Sequence, residues 1–199
     1  MKYLLQERIR LPIPNAEIWY FPNFLTGNQA DRYFETFKNT IAWQQDDITL
    51  FGKTYPQPRL TALHGNNGKS YSYSNVTMKP KPFTEELLAI KQKVETMTNV
   101  AFTTCLLNLY RDGRDSNGWH SDDEKELGKN PVIASVSLGA ERYFHLRYKK
   151  DKSQKQKLLL QHGSLLLMQG ETQHHWQHQL PKTAKKIGDR INLTFRIIK

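Results

Sequence analysis

From Arg190 to Ile198 the chain reads RINLTFRII. Successive side chains of an extended strand point to opposite faces. Arg190, Asn192, Thr194 and Arg196 therefore share one face, and Ile191, Leu193, Phe195 and Ile197 share the other. For a surface strand this is ordinary hydrophobic-in, polar-out patterning. The segment CLLNLY at 105–110 adds weight to a functional role for the polar face, because Asn108 and Tyr110 also point the same way.

Working outward from this strand, period-2 runs occur at 102–110, 132–138, 142–148, 157–161, 164–168 and 190–198, separated by turn signals such as Asp112-Gly113 and His162-Gly163. Many short strands with no helix between them predict an antiparallel sandwich or barrel. Two amphipathic helices precede it and are expected to pack outside, giving a mainly β fold with flanking helices. The first spans 26–41, with Thr26 as candidate N-cap and Ala30, Tyr33, Phe34, Phe37 and Ile41 at helical spacing. The second spans about 84–98, with Leu87, Ile90, Val94 and Met97 on its apolar face. Between Asp46 and Pro82 the richness in Gly, Pro, Asn, Ser and Tyr predicts short strands and exposed loops.

A chain of 199 residues with 38% hydrophobic, 11% aromatic and 24% charged residues fits one globular domain and excludes a disordered chain, a fibre or a coiled coil. Cys105 is the sole cysteine, so neither an intrachain disulfide nor a Cys-rich zinc site can form. The opening MKYLLQERIRLP interrupts any signal-peptide core with charge, and the longest later apolar runs, Leu158 to Leu160 and Leu165 to Met168, fall far short of a bilayer span. An intracellular, reducing setting without membrane contact is expected. Twenty-nine Lys and Arg against 19 Asp and Glu give a formal charge of +10, which points to a polyanion, with nucleic acid the leading class. The competing reading is a basic surface that serves solubility alone.

The histidines carry the chemistry. His120 lies two positions before Asp122 in WHSDDE, so on an extended segment both side chains reach one side and can grip one ion. His174, His175 and His178 cluster in TQHHWQHQLP, and local spacing does not choose among them. Two imidazoles and one carboxylate match the facial arrangement of non-haem Fe(II) oxygenases. Three protein ligands on one face leave room for a bidentate keto acid and dioxygen. A keto acid with carboxylates at both ends also needs fixed cations, which Arg190 and Arg196 can provide.

With these residues in place, the sequence resembles the AlkB family of Fe(II)- and 2-oxoglutarate-dependent oxygenases. The matching stretches are NLYRDGRDSNGWHSDDE, ASVSLGAERYFHLR, HGSLLLMQG, HHWQHQLP and RINLTFR, with FGKTYPQPR and SYSYSN nearer the N-terminus. The resemblance implies a double-stranded β-helix (jelly roll) core within a single domain over 1–199. About 1–99 would hold the N-terminal helices and nucleotide-recognition region, and about 100–199 the catalytic core. It implies His120, Asp122 and His178 as iron ligands. Arg196, with Asn192 beside it, would bind the 2-oxoglutarate carboxylate nearest the metal, and Arg190, Asn108 and Tyr110 the far one.

The resemblance further implies oxidative demethylation of 1-methyladenine and 3-methylcytosine in DNA, consuming 2-oxoglutarate and O2 and releasing formaldehyde. A base must leave the duplex, or be supplied single-stranded, to present its pairing edge. Tyr71, Tyr73 and Glu124 resemble the residues that stack on or hydrogen-bond that base. Phe51 aligns with an apolar finger that fills the gap left in the stack. Lys149, Lys150 and Lys152, in a lysine-rich stretch that also holds Lys155 and Lys157, and Arg59 are candidate phosphate contacts. A monomer is expected, cytoplasmic if bacterial and nuclear if eukaryotic. The alternatives are the same chemistry on RNA, tRNA or a protein side chain, and a catalytically silent nucleic-acid-binding module.

Overall fold

The computed structural model describes residues 7–50, 52–73 and 76–199, with the side chains of residues 49, 50, 72, 73 and 76 left aside. In chain order the elements are β1 (Ile9–Arg10), β2 (Glu17–Phe21), α1 (Gly27–Thr40), β3 (Asp47–Leu50), β4 (Lys53–Pro56), β5 (Leu60–Gly65), β6 (Tyr71–Tyr73) and β7 (Val76–Met78). There follow α2 (Glu85–Thr98), β8 (Thr104–Tyr110), β9 (Asn117–His120), a 3-10 turn (Lys125–Leu127), β10 (Ile133–Gly139) and β11 (Arg142–Tyr148). The chain ends with β12 (Lys155–Leu160), β13 (Leu165–Gln169), a one-turn α3 (Thr172–His175), β14 (Trp176–Leu180) and β15 (Arg190–Arg196).

Two antiparallel sheets make the body. The major one runs β1-β2-β13-β10-β15-β8-β5 and the minor one β12-β11-β14-β9, with β3-β4 and β6-β7 as separate hairpins. Alternation along the central strands divides the interior in two. Leu107 and Leu109, Val136 and Leu138, and Ile191, Leu193 and Phe195 face α1 and α2. On the opposite face, Leu106, Ile133, Leu166 and Met168 meet Leu146, Leu160 and Trp176 of the minor sheet. Burying each of these large side chains contributes roughly 1.5–3 kcal/mol.

Both helices form where the pattern predicts. Thr26 closes a capping box on α1, its hydroxyl accepting from the Gln29 N–H at 3.3 Å while the Gln29 side chain accepts from the Thr26 N–H at 3.2 Å. Ala30, Tyr33 and Phe37 are its buried stripe. Thr84 caps α2, Glu85 and Glu86 complement its positive end, and Asn99 terminates it in the left-handed region at φ 53°. Among the described residues no helix is long and apolar enough to cross a membrane.

The polar face of β15 meets the minor sheet rather than solvent, and all seven residues of the strand are buried. Two features depart from the sequence expectations. The segment from Asp46 to Pro82 is not only short exposed structure: β5 pairs with β8 at the edge of the major sheet, and five of its six residues are buried. Finally, β9 and β14 were not anticipated as strands, and they deliver the two histidines described next.

Candidate metal centre and cosubstrate pocket

His120 ends β9, the edge strand of the minor sheet, and His178 sits mid-strand on β14 directly opposite it in the ladder. The imidazoles meet edge to face at 4.2 Å between centroids, and Phe144 stacks on the far side of His178 at 5.1 Å. Asp122, just beyond β9, turns back so that His120 Nε2 is 3.9 Å from its Oδ1. One donor atom from each of His120, Asp122 and His178 lies within 4.8 Å of the others. His174 and His175 are elsewhere: His174 Nε2 pairs with Asn130 Oδ1 at 2.7 Å and His175 Nε2 with Glu171 Oε2 at 3.3 Å.

The local hydrogen bonds prepare these atoms for a cation. His120 Nδ1 lies 2.8 Å from the Gly118 carbonyl, which can only accept, so the proton belongs on Nδ1 and the Nε2 lone pair faces the cluster. Burial lowers the pKa of both histidines, that of His178 to about 3, so both are neutral near pH 7. Burial alone would raise the Asp122 carboxyl, but the Arg196 guanidinium, His178 and His120 hold it at about 2. Arg196 Nη2 donates to Asp122 Oδ1 at 2.7 Å, whereas Asp122 Oδ2 is buried with no hydrogen-bond partner. Two neutral imidazoles beside an ionised carboxylate with a bare buried oxygen fit a divalent transition-metal ion of the iron type.

The cluster opens into a cavity of about 190 Å³ between the sheets, whose far wall is the polar face of β15 and β8. Arg190 stands opposite Tyr110 in the ladder, its guanidinium 5.4 Å from the Tyr110 ring centroid. It donates to Ser137 Oγ at 2.9 Å, its Nε has no partner, and burial pulls it down to about 10. Arg196 Nε and Nη1 are likewise buried and unpartnered. Buried donors without acceptors are costly, and a carboxylate entering at either end would satisfy them. Asn192 is instead engaged in the floor: its amide donates to Ser135 Oγ at 2.6 Å and accepts from Thr194 Oγ1 at 2.8 Å.

Tyr71 and Glu124 close the cavity near the cluster, the Tyr71 hydroxyl donating to Glu124 Oε1 at 3.0 Å. Burial, reinforced by the Asp122 charge, raises the Glu124 carboxyl, and its Oε2 is buried and unpartnered. Tyr73 lies on β6, its side chain among those left aside, and Phe51 falls outside the described residues.

Arg59 corrects its sequence expectation. It is buried inside the cavity, donating through Nε to Asn108 Oδ1 at 2.9 Å and through Nη1 to the Ser116 carbonyl at 3.3 Å, and so cannot reach an external phosphate. Lys149 is also held, by Asp123 Oδ2 at 3.0 Å and the Gln173 carbonyl at 2.8 Å, whereas Lys150 and Lys152 are exposed. Sequence reasoning missed Gln173, whose buried Oε1 accepts from the Asp122 N–H at 3.0 Å and fixes the start of the acidic loop. It also missed Ser135, Ser137 and Phe144, whose roles appear only when strands distant in sequence are paired.

Such a cluster beside a cation-lined cavity is the arrangement that an iron-dependent oxygenase with a keto-acid cosubstrate would need, and the comparisons point to that class. The 2OG-Fe(II) oxygenase superfamily profile matches residues 17–196, and the chain belongs to that superfamily. Within it the chain is a member of the AlkB family and thus a 2-oxoglutarate-dependent dioxygenase by class. It is 42% identical over 196 residues to alpha-ketoglutarate-dependent dioxygenase alkB homolog 3 of Bos taurus, covering 94% of this chain and 68% of that one. It is 38% identical over 180 residues to DNA oxidative demethylase ALKBH2 of Homo sapiens, covering 85% and 69%. The solved structure of OsALKBH1 superposes with a TM-score of 0.70 at 18% identity, covering 96% of this chain and 100% of that one, in keeping with the jelly-roll fold.

Proposed function

We propose that this protein removes methyl groups from N-alkylated bases, 1-methyladenine and 3-methylcytosine, in DNA. The observation that carries the reading is that one cavity joins the His120, Asp122 and His178 cluster, two buried arginines with unpartnered donors, and the Tyr71–Glu124 pair. The relative named as a DNA oxidative demethylase supports the substrate class, and the one named as an alpha-ketoglutarate-dependent dioxygenase supports the cosubstrate.

In this reading His120, Asp122 and His178 hold the metal. Bound iron supplies the redox chemistry by which one oxygen atom of O2 enters succinate and the other enters the methyl group, as 2-oxoglutarate loses CO2. Arg196 receives the carboxylate nearest the metal while it holds Asp122. Arg190, with Tyr110 and Asn108 beside it, receives the far one, and Asn192 keeps the floor between them in shape. Glu124 Oε2 faces the exocyclic amine of an extruded base, with Tyr71 holding the carboxyl in place. Walls of Leu106, Ile133 and Met168 exclude water on the sheet side. The resulting N-hydroxymethyl group loses formaldehyde and leaves the unmodified base. The exposed Lys150 and Lys152 attract the phosphate backbone, and the protein acts as a monomer inside the cell.

The test supplies Fe(II), 2-oxoglutarate and O2 with oligonucleotides carrying 1-methyladenine or 3-methylcytosine, as single and double strands and as DNA and RNA. Formaldehyde and succinate are expected in equal amounts on methylated DNA, with none from an Asp122→Ala control. Succinate without formaldehyde, or turnover confined to RNA, would contradict the reading.

A further inference from the structure

Arg142, the first residue of β11, is 4% exposed. It donates from Nη1 to the Asp112 carbonyl at 3.2 Å, and from Nη2 to the carbonyls of Asp115 and Pro181 at 3.1 and 2.6 Å. Among the described residues no carboxylate pairs with it: the Asp112 and Asp115 side chains turn to Arg114 and Arg111 instead. A buried cation whose hydrogen bonds among the described residues all go to backbone carbonyls is unusual, because neutral donors would satisfy carbonyls without the desolvation cost of a charge.

The carbonyls it gathers belong to two loops. One leaves β8 at Tyr110 and enters β9, and the other leaves β14 and enters β15 at Arg190. The loops interlock where the Thr183 N–H donates to the Gly113 carbonyl at 2.8 Å, and a Cβ on Gly113 would come within 2.4 Å of the Thr183 carbonyl oxygen. Arg142 therefore ties the loop that follows Tyr110 to the β14 end of the loop that leads to Arg190, and Tyr110 and Arg190 stand opposite each other in the ladder. Its charge also reaches that end of the pocket, where it contributes to the lowering of Arg190.

We propose that Arg142 is a positioning residue that makes the pocket select a keto acid with a carboxylate at its far end, by clamping the loops that set Tyr110 and Arg190. The inference rests on the assignment of the far carboxylate to Arg190 and adds to it a side chain that does not touch the ligand. Arginine suits this role because its planar fork can serve carbonyls from both loops at once, whereas lysine offers a single ammonium.

The experiment measures dissociation constants by anaerobic titration calorimetry, with Mn(II) as a redox-silent stand-in for iron. It compares 2-oxoglutarate with 2-oxopentanoate, the same chain with a methyl in place of the far carboxylate. For Arg142→Met, 2-oxoglutarate should bind about tenfold more weakly while 2-oxopentanoate stays within about twofold of the parent; for Arg142→Lys the selective loss should be about threefold. The lysine variant decides the matter if the methionine variant does not fold. Parallel weakening of both ligands would reduce Arg142 to a general structural role, and an unchanged Arg142→Lys would overturn the clamp. Failure of the parent itself to bind 2-oxoglutarate would instead remove the cosubstrate reading beneath it.

Discussion

Arg196→Met is expected to lower the stability of the metal-free protein by about 3–5 kcal/mol, because it leaves a buried carboxylate with no countercharge. The Asp122 side chain is 2% exposed and its Oδ1 takes its hydrogen bond from Arg196 Nη2. Without the guanidinium, burial dominates and the carboxyl must either protonate or remain charged in an apolar setting. For a domain of this size, thermal unfolding should shift down by roughly 10 °C. Turnover should fall below detection, because the same substitution removes the cation assigned to the nearer carboxylate of 2-oxoglutarate. Added Mn(II) should recover part of the thermal loss, since a bound cation restores the missing charge. A melting temperature equal to the parent's would show that the pair does not hold the site.

Phe195→Ala has the next largest expected effect, and it arises on the other face of the same strand. Phe195 is fully buried and meets Phe102 with ring centroids 6.2 Å apart, beneath α2. Truncating it should cost about 3–5 kcal/mol, the sum of lost transfer energy and a cavity that the crossing strands cannot collapse. The effect on catalysis should be smaller than on stability, because the pocket face of β15 is also held from β10 and β8, which flank it. Chemical denaturation with the activity assay run in parallel would check this. A stability loss under about 1 kcal/mol would mean that the helix-facing layer contributes little.

The contrast between these two substitutions explains what the sequence disclosed. In β15 the greasy face and the polar face are both written in strict alternation, so the strand, its two faces and the grouping of Arg190, Asn192 and Arg196 were readable. What the alternation does not say is whether the polar face meets water, because solvent and a lined cavity ask for the same residue types. The helices were legible because periodicity and Thr caps agree at Thr26 and Thr84. In contrast, β14 reads WQHQL, where the inward positions are Trp176, His178 and Leu180. An imidazole that lines the cavity occupies a slot where the strand pattern calls for an apolar residue, so the period-2 signal is present but diluted.

The choice among His174, His175 and His178 shows a second boundary. Nothing local separates three histidines within five residues, and what singles out His178 is its register opposite His120 across a ladder. Arg59 shows the same boundary in reverse. As a cation near Pro56 and Pro58 it reads as a loop residue, yet the pairing of Thr61 with Asn108 carries it into the cavity. Gln173 and Arg142 act on residues far away in sequence, and only the folded chain assigns them partners.

The most direct test of the site is an anaerobic metal titration of the parent and of single His→Ala variants, with Co(II) as a spectroscopic probe of coordination. The parent, His174→Ala and His175→Ala should each bind one equivalent with the same visible spectrum, and 2-oxoglutarate should perturb it. His178→Ala should lose that spectrum and bind far more weakly. If His178→Ala binds as the parent does, or if removing His174 or His175 abolishes binding, the three donors named here are not the metal centre.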